Sequence, residues 1–323
     1  MDNVCHTLAG AALAEAGLRR RAPLAVPALL IGANLPDLDA FAYLRDPLFA
    51  LTFRRGWTHG VLALALWPLV LAAALIGSAR LARRRGGRTA EPAEWRALLL
   101  VAGAAVLSHP LLDLLNSYGV RLLMPFSSRW FYADTLFIVD PWLWLTLGAG
   151  VFASARRRKA GAPNPERPAR LALGVAGGYV AAMLVAGLVA RGIVRREAEA
   201  AGIRIAREMV APAPVTPFRR EVLLDLGGTY RRGEFEWIAA PHLRLGAPLP
   251  QGFETPGARE ALSSAPARAF LGWSRFPAAQ LDPRGRVVRL YDLRYADAGG
   301  PSWAAVEIAG EERPQGARGA PQE

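Results

Sequence analysis

The sequence predicts a mainly α-helical protein: a polytopic membrane helical bundle followed by a C-terminal β-rich soluble domain. Three observations carry this expectation. The 323-residue chain is 52% hydrophobic (AVILMFWYC) with a mean hydropathy of +0.18, high for a soluble protein. Its first 190 residues hold apolar segments close to the roughly 20 residues that a helix needs to cross a bilayer. From Pro214 onward short strand-like runs replace them, punctuated by glycine and proline.

Taken in order, residues 4–18 are apolar apart from His6 and Glu15, and residues 22–35 form a second short apolar segment containing Pro23 and Pro27. Together they read as a tight helical hairpin, barely spanning or re-entrant, which is tolerated when packed inside protein. Pro36-Asp37-Leu38-Asp39 and a loop to Thr58 follow. Four clear spans are expected at 59–78, 97–115, 136–154 and 171–190. The third contains Asp140-Pro141, and the fourth carries Gly174 and Gly178 at GxxxG spacing, which favours close helix packing. Residues 195–212 read as an amphiphilic helix. Strands are expected at 220–226, 230–238, 287–295 and 303–308, with turns at Gly227-Gly228 and Asp282-Pro283-Arg284-Gly285. The expected domains are a bundle over 1–192, an extracytoplasmic β-rich or α/β domain over 193–309, and a disordered tail over 310–323.

The net charge of +12 comes from arginines clustered beside the apolar runs, such as Arg19-Arg20-Arg21 and Arg156-Arg157-Arg158-Lys159. This pattern fits loop anchors of a membrane protein rather than a nucleic-acid surface. By the positive-inside rule the arginine-rich loops at 80–96 and 156–170 are cytoplasmic, which places both the N-terminus and the C-terminal domain outside. Arg191, Arg195 and Arg196 run against this scheme unless they snorkel or pair with Glu197 and Glu199. The single cysteine, Cys5, excludes an internal disulfide and a Cys-rich zinc site. No cleavable signal peptide is expected, because Asp2 precedes the first apolar run and the arginines follow it.

The same orientation sorts the chemistry. His109 and Asp113 lie four apart on one helical face, and His6, Asp37, Asp39 and His59 fall at the same end of their segments. A catalytic zinc site takes about three His/Asp/Glu ligands and keeps one position open, and helical bundles build such sites from facing helices. His6, Asp37, Asp39, His59, His109 and Asp113 are therefore the candidate metal ligands. Asp37 and Asp113 are also candidates for the catalytic base, and Arg55 with Arg54 for a clamp on an anionic group. The expected cofactor is a divalent metal, zinc first, with manganese or magnesium as alternatives. Plainer roles compete: turn or cap for the two aspartates of residues 36–39, N-cap for Thr58-His59, and mutual pairing for His109 and Asp113. Asn116 is a candidate orienting residue, Asp140 a partner for a histidine or a buried helix cap, and Asp134 a solvent-facing carboxylate. His242 stands apart in the soluble part. No GxSxG, Walker A or HExxH pattern is present.

Five pieces in order carry a family resemblance: His6-Thr7, Leu35-Pro36-Asp37-Leu38-Asp39, Arg55-Gly56-Trp57-Thr58-His59, His109-Pro110-Leu111-Leu112-Asp113 and Phe137-Ile138-Val139-Asp140-Pro141-Trp142. Over roughly residues 1–190 the chain resembles the YdjM-type membrane-bound proteins, described as metal-dependent hydrolases and under LexA control in some bacteria. It departs from that pattern at Arg54, where the family carries histidine. The resemblance implies a bacterial inner-membrane, multi-pass protein. The arrangement is also reminiscent, by analogy only, of zinc-dependent phospholipases C. The expected function is a metal-dependent hydrolase of a phosphoester or lipid-derived substrate, partnered by membrane lipids and not by nucleic acid. A proton- or ion-coupled transporter and a non-catalytic membrane scaffold are the alternatives; the gathering of charge at one end favours the hydrolase.

Overall fold

In the computed structural model, residues 1–85, 94–238, 240–282, 287–296 and 303–309 are described. The expected turn at 282–285 lies largely outside them, as do the tail at 310–323 and much of the loop at 80–96. The protein is mostly helical, with antiparallel sheets confined to its C-terminal part.

Helix α1 (Asn3–Glu15) is capped by Asp2, whose side chain accepts from the backbone of Val4 and Cys5. After α2 (Ala25–Gly32) comes a 3₁₀ helix over Leu35–Leu44, then α3 (Pro47–Phe53), capped by Asp46. The stretch expected as loop up to Thr58 is thus largely helical. Helices α4 (Val61–Arg84) and α5 (Trp95–Leu114) pack together, as do α6 (Pro141–Lys159) and α7 (Arg167–Ala200), with α1 against α6 and α2 against α5. Gly32 sets the last contact: a Cβ there would sit 2.8 Å from that of Ala105.

Among the described residues three helices are long and apolar enough to cross a membrane: α4, α5 and α7, at mean hydropathies of 2.3, 1.8 and 2.0. The pair Ala25–Gly32 and Leu35–Leu44, bent by 45°, is a further broken candidate. Only 17% of the apolar window of α4 is buried by protein, so the rest of that surface needs lipid. The expected span at 136–154 is corrected. Asp140 caps the helix through the Leu143 amide, so α6 begins only at Pro141, and four basic residues fill its last turn. What remains between these limits is shorter than an ordinary span, and α6 does not have the length and apolarity of a span on its own. The GxxxG expectation also fails within this chain. The buried stripe of α7 runs through Ala169, Ala172, Ala176 and Met183, while Gly174 and Gly178 have nothing packed on them.

The expected helix at 195–212 is half right: α7 continues to Ala200, but 207–212 is a strand. Strands β1 (Arg207–Pro212), β2 (Arg219–Asp225), β3 (Thr229–Glu236) and β4 (Leu243–Pro250) form an antiparallel meander. Gly227, at φ +81°, makes the β2–β3 turn expected from the sequence. Two short helices, α8 (Pro256–Leu262) and α9 (Ala265–Trp273), lead into a second antiparallel sheet of β5 (Pro277–Leu281), β6 (Val287–Asp292) and β7 (Ala305–Ala309). Helix α7 runs unbroken through the expected boundary at 192/193. Its Ala190, Val194 and Ala198 share a core with Val210, Val222 and Phe235 of the first sheet.

Candidate metal centre

Along α5 the buried residues are Leu98, Val101, Ala102, Ala105, Val106, His109, Pro110 and Asp113. This is one stripe at helical spacing, and His109 and Asp113 are its polar members. The stripe faces α2 and α4, so the imidazole and the carboxylate are carried into the interior where the chain leaving α2 and the chain entering α4 meet. The 3₁₀ helix brings Asp37 there. The turn Arg55-Gly56-Trp57-Thr58-His59 brings His59, held because Gly60 lies against the Met124 carbonyl, where a Cβ would come within 2.3 Å.

Asp37, His59, His109 and Asp113 each offer a ligand atom, and these atoms all lie within 4.8 Å of one another. The separations are 3.1 Å between the two Nε2 atoms, 3.2 and 3.4 Å from Asp113 Oδ2 to His59 and His109, and 3.6 and 4.0 Å from Asp37 Oδ1 to His109 and His59. Ligands about 2.0–2.2 Å from a tetrahedral zinc stand about 3.3–3.6 Å apart, so the set has the dimensions of such a shell. Both imidazoles are oriented from behind. His109 Nδ1 lies 2.7 Å from the Ala33 carbonyl and donates to it. Thr58 Oγ1 donates to Asp39 at 2.8 Å, so it accepts from His59 Nδ1, also at 2.8 Å. With each Nδ1 proton committed, both Nε2 lone pairs turn to the same point. Asp113 Oδ2 is buried there and accepts no hydrogen bond. Two lone pairs and a bare carboxylate oxygen converging in a buried place call for a cation.

Two other candidate ligands stand just outside this set. Asp39 is two residues from Asp37, and at three residues per turn their side chains diverge. Asp39 is on the Nδ1 side of His59, 3.4 Å away, and its oxygens also take the Arg55 amide at 2.8 Å and Arg54 Nε at 3.2 Å. His6 stacks on His109 with ring centres 3.8 Å apart, and its Nε2 is 3.4 Å from the other Asp113 oxygen, Oδ1. Oδ1 also takes Arg55 Nη2 at 3.2 Å and the Met1 amine. Arg55 is held at φ +50°, a costly value for a residue with a side chain. Its amide on Asp39, its carbonyl on the Arg121 amide at 2.7 Å and its guanidinium over the Tyr118 ring at 4.7 Å keep it there.

The remaining expectations sort as follows. Asn116 organises the turn after α5, its Oδ1 accepting from the Tyr118 and Gly119 amides. Asp140 is a helix cap that also accepts from the Tyr179 hydroxyl at 3.0 Å. Asp134 is not solvent-facing: it is buried, with Arg275 bidentate upon it and Arg191 at 3.0 Å. His242 lies on the first sheet, its Nδ1 bonded to the Glu236 carbonyl. The sequence gives no sign of the Ala33 carbonyl behind His109, since it is backbone. Thr58 was in view, but as a cap.

The model of the YdjM inner membrane protein family matches residues 1–191. The chain belongs to this family. The matched region contains the whole of the four-residue group and the helices α4 and α5, so the chain is a membrane protein with a His/Asp group whose geometry could hold a metal ion. It is similar to "Uncharacterized protein YfhP" of Bacillus subtilis (strain 168), with 26% identity over 119 residues, 37% of this chain. That match spans about a third (33%) of the relative's length. No solved structure matches.

Proposed function

We propose that this YdjM-family protein is a membrane-bound metal-dependent hydrolase acting on a phosphoester, with Asp37, His59, His109 and Asp113 holding one divalent ion, zinc first. The observation that carries the reading is the convergence of two oriented Nε2 atoms and a bare Asp113 oxygen at shell dimensions. A metal bound there supplies a water of lowered pKa and polarises a phosphoryl oxygen. The chain's own residues do the rest. Asp37, the least buried of the four, is the base: one carboxylate oxygen would hold the ion and the other would take a proton from water. Arg55, already on Asp113, and Arg54 beside it supply positive charge for the phosphoryl oxygens. His6 and Asp39 orient Asp113 and His59 rather than bind the ion.

In this reading α6 crosses the membrane packed beside α7, its basic last turn reaching to the inner face, so that the centre and the domain after α7 both lie on the extracytoplasmic side. The positive-inside pattern supports it, and the main exception to that pattern has a cause. Arg191 pairs with Asp134, and Arg195 with Glu208, so neither is a free loop anchor. The test is hydrolysis of bis(p-nitrophenyl) phosphate by detergent-purified protein. Activity should vanish with a chelator, return with zinc, and be absent from Asp37→Asn. Turnover that is indifferent to chelation would sink the reading.

A further inference from the structure

Between the candidate centre and the C-terminal domain lies a cavity of about 1200 Å³. It exceeds the roughly 300–1,000 Å³ of pockets for drug-sized ligands. Arg54 and Arg55 line its floor, so it opens directly beside Asp113 and Asp39. Its roof is built by the first sheet, with Arg232 on β3 and Arg244 on β4. Arg54 spends Nε on Asp39 and Nη1 on the Tyr43 hydroxyl; Nη2 has no partner among the described residues. Among the described residues Arg232 spends only Nη2, on the Leu293 carbonyl. Arg244 is held by Glu236 at 2.5 Å. Donors not taken up by hydrogen bonds among the described residues therefore face the cavity from both floor and roof, in a lining that also holds Glu221, Glu234 and Glu236.

The rim is apolar. Tyr43 and Pro214 line the cavity, and their chain neighbours Leu44 and Val215 are 84% and 63% exposed, with Phe41 and Phe218 exposed nearby. The Val215 carbonyl accepts from the Trp142 indole at 2.9 Å, in the first turn of α6. This ties the rim of the roof to the level at which the helices begin, where aromatic and apolar side chains meet head groups.

We propose that this cavity takes the phosphate head group of an anionic lipid entering sideways from the bilayer, and that Arg232 and Arg244 of the C-terminal domain select it. The proposal rests on the hydrolase reading for its chemistry but not for the binding itself. The test is equilibrium binding of dihexanoyl phosphatidic acid to the full-length protein in detergent, followed by tryptophan fluorescence. Dihexanoylglycerol and inorganic phosphate are the comparison ligands. The lipid phosphate should bind more tightly than either, Arg232→Gln should weaken it about tenfold, and Arg232→Lys should recover part of the loss. Glu236→Gln, which frees Arg244, should tighten binding. Unchanged affinity in a doubly substituted Arg232→Gln/Arg244→Gln protein overturns the proposal, and so does inorganic phosphate binding as tightly as the lipid. Arginine-dependent lipid binding by a protein that holds no metal would keep the cavity's role and discard the hydrolase reading.

Discussion

Thr58 shows how much of a metal centre can rest on a residue that would touch no metal. Its hydroxyl donates to Asp39 and accepts from His59 Nδ1, which fixes the tautomer that turns His59 Nε2 inward. Thr58→Val keeps the shape and removes both bonds. Metal affinity should then fall about 10–100-fold, as losses behind a ligand commonly do; a competitive chelator titration reads it, and an unchanged affinity would remove Thr58 from the account. The sequence makes His59, His109 and Asp113 legible, because three histidines at one end of apolar segments are expensive without a use. It does not separate Asp37 from Asp39. Their divergence depends on a 3₁₀ rather than an α-helical backbone, and no side-chain pattern announces that.

Helices such as α5 were readable because a stripe at three- and four-residue spacing survives in the sequence. Helix α6 was misplaced because its apolar run starts before the helix does: Phe137, Ile138 and Val139 precede the cap. The cap itself is a prediction. Asp140→Ala removes the bond to the Leu143 amide and the partner of Tyr179, and should cost about 1–2 kcal/mol. A thermal melt in detergent should fall by a few degrees, and an unaltered melt would contradict the capping role. In the C-terminal part β4 escaped notice because Gly246, Pro248 and Pro250 interrupt it. Helices α8 and α9 do carry a sequence signal: Thr255-Pro256 and Ser264-Ala265-Pro266 each place a capping hydroxyl just before a proline in the first turn.

At the scale of the molecule, the helical part and the sheets are joined by buried charge. Asp134 precedes α6, Arg191 lies on α7 and Arg275 lies between α9 and β5, and the three meet with the carboxylate fully buried. Arg294 adds a second joint, donating to the Ser117 carbonyl beside Tyr118 while fixed on Asp292. Arg275→Ala leaves Asp134 with Arg191 alone and should cost about 3 kcal/mol, the low end for breaking a buried pair. Limited proteolysis should then cut the chain near 201–206 faster than it cuts the intact protein; equal resistance would mean that the joint is not what holds the two parts together. The sequence could not show this joint, because Arg191 and Arg275 lie 57 and 141 residues from Asp134, which reads as an ordinary loop carboxylate.

The central claim is that Asp37, His59, His109 and Asp113 hold a metal ion, and elemental analysis of the purified full-length protein tests it most directly. About one equivalent of a divalent metal per chain is expected in the wild type, with almost none in Asp113→Asn or His109→Ala proteins that remain folded. No metal in the wild type after reconstitution with zinc and manganese, or the same content in the folded Asp113→Asn protein, would contradict it.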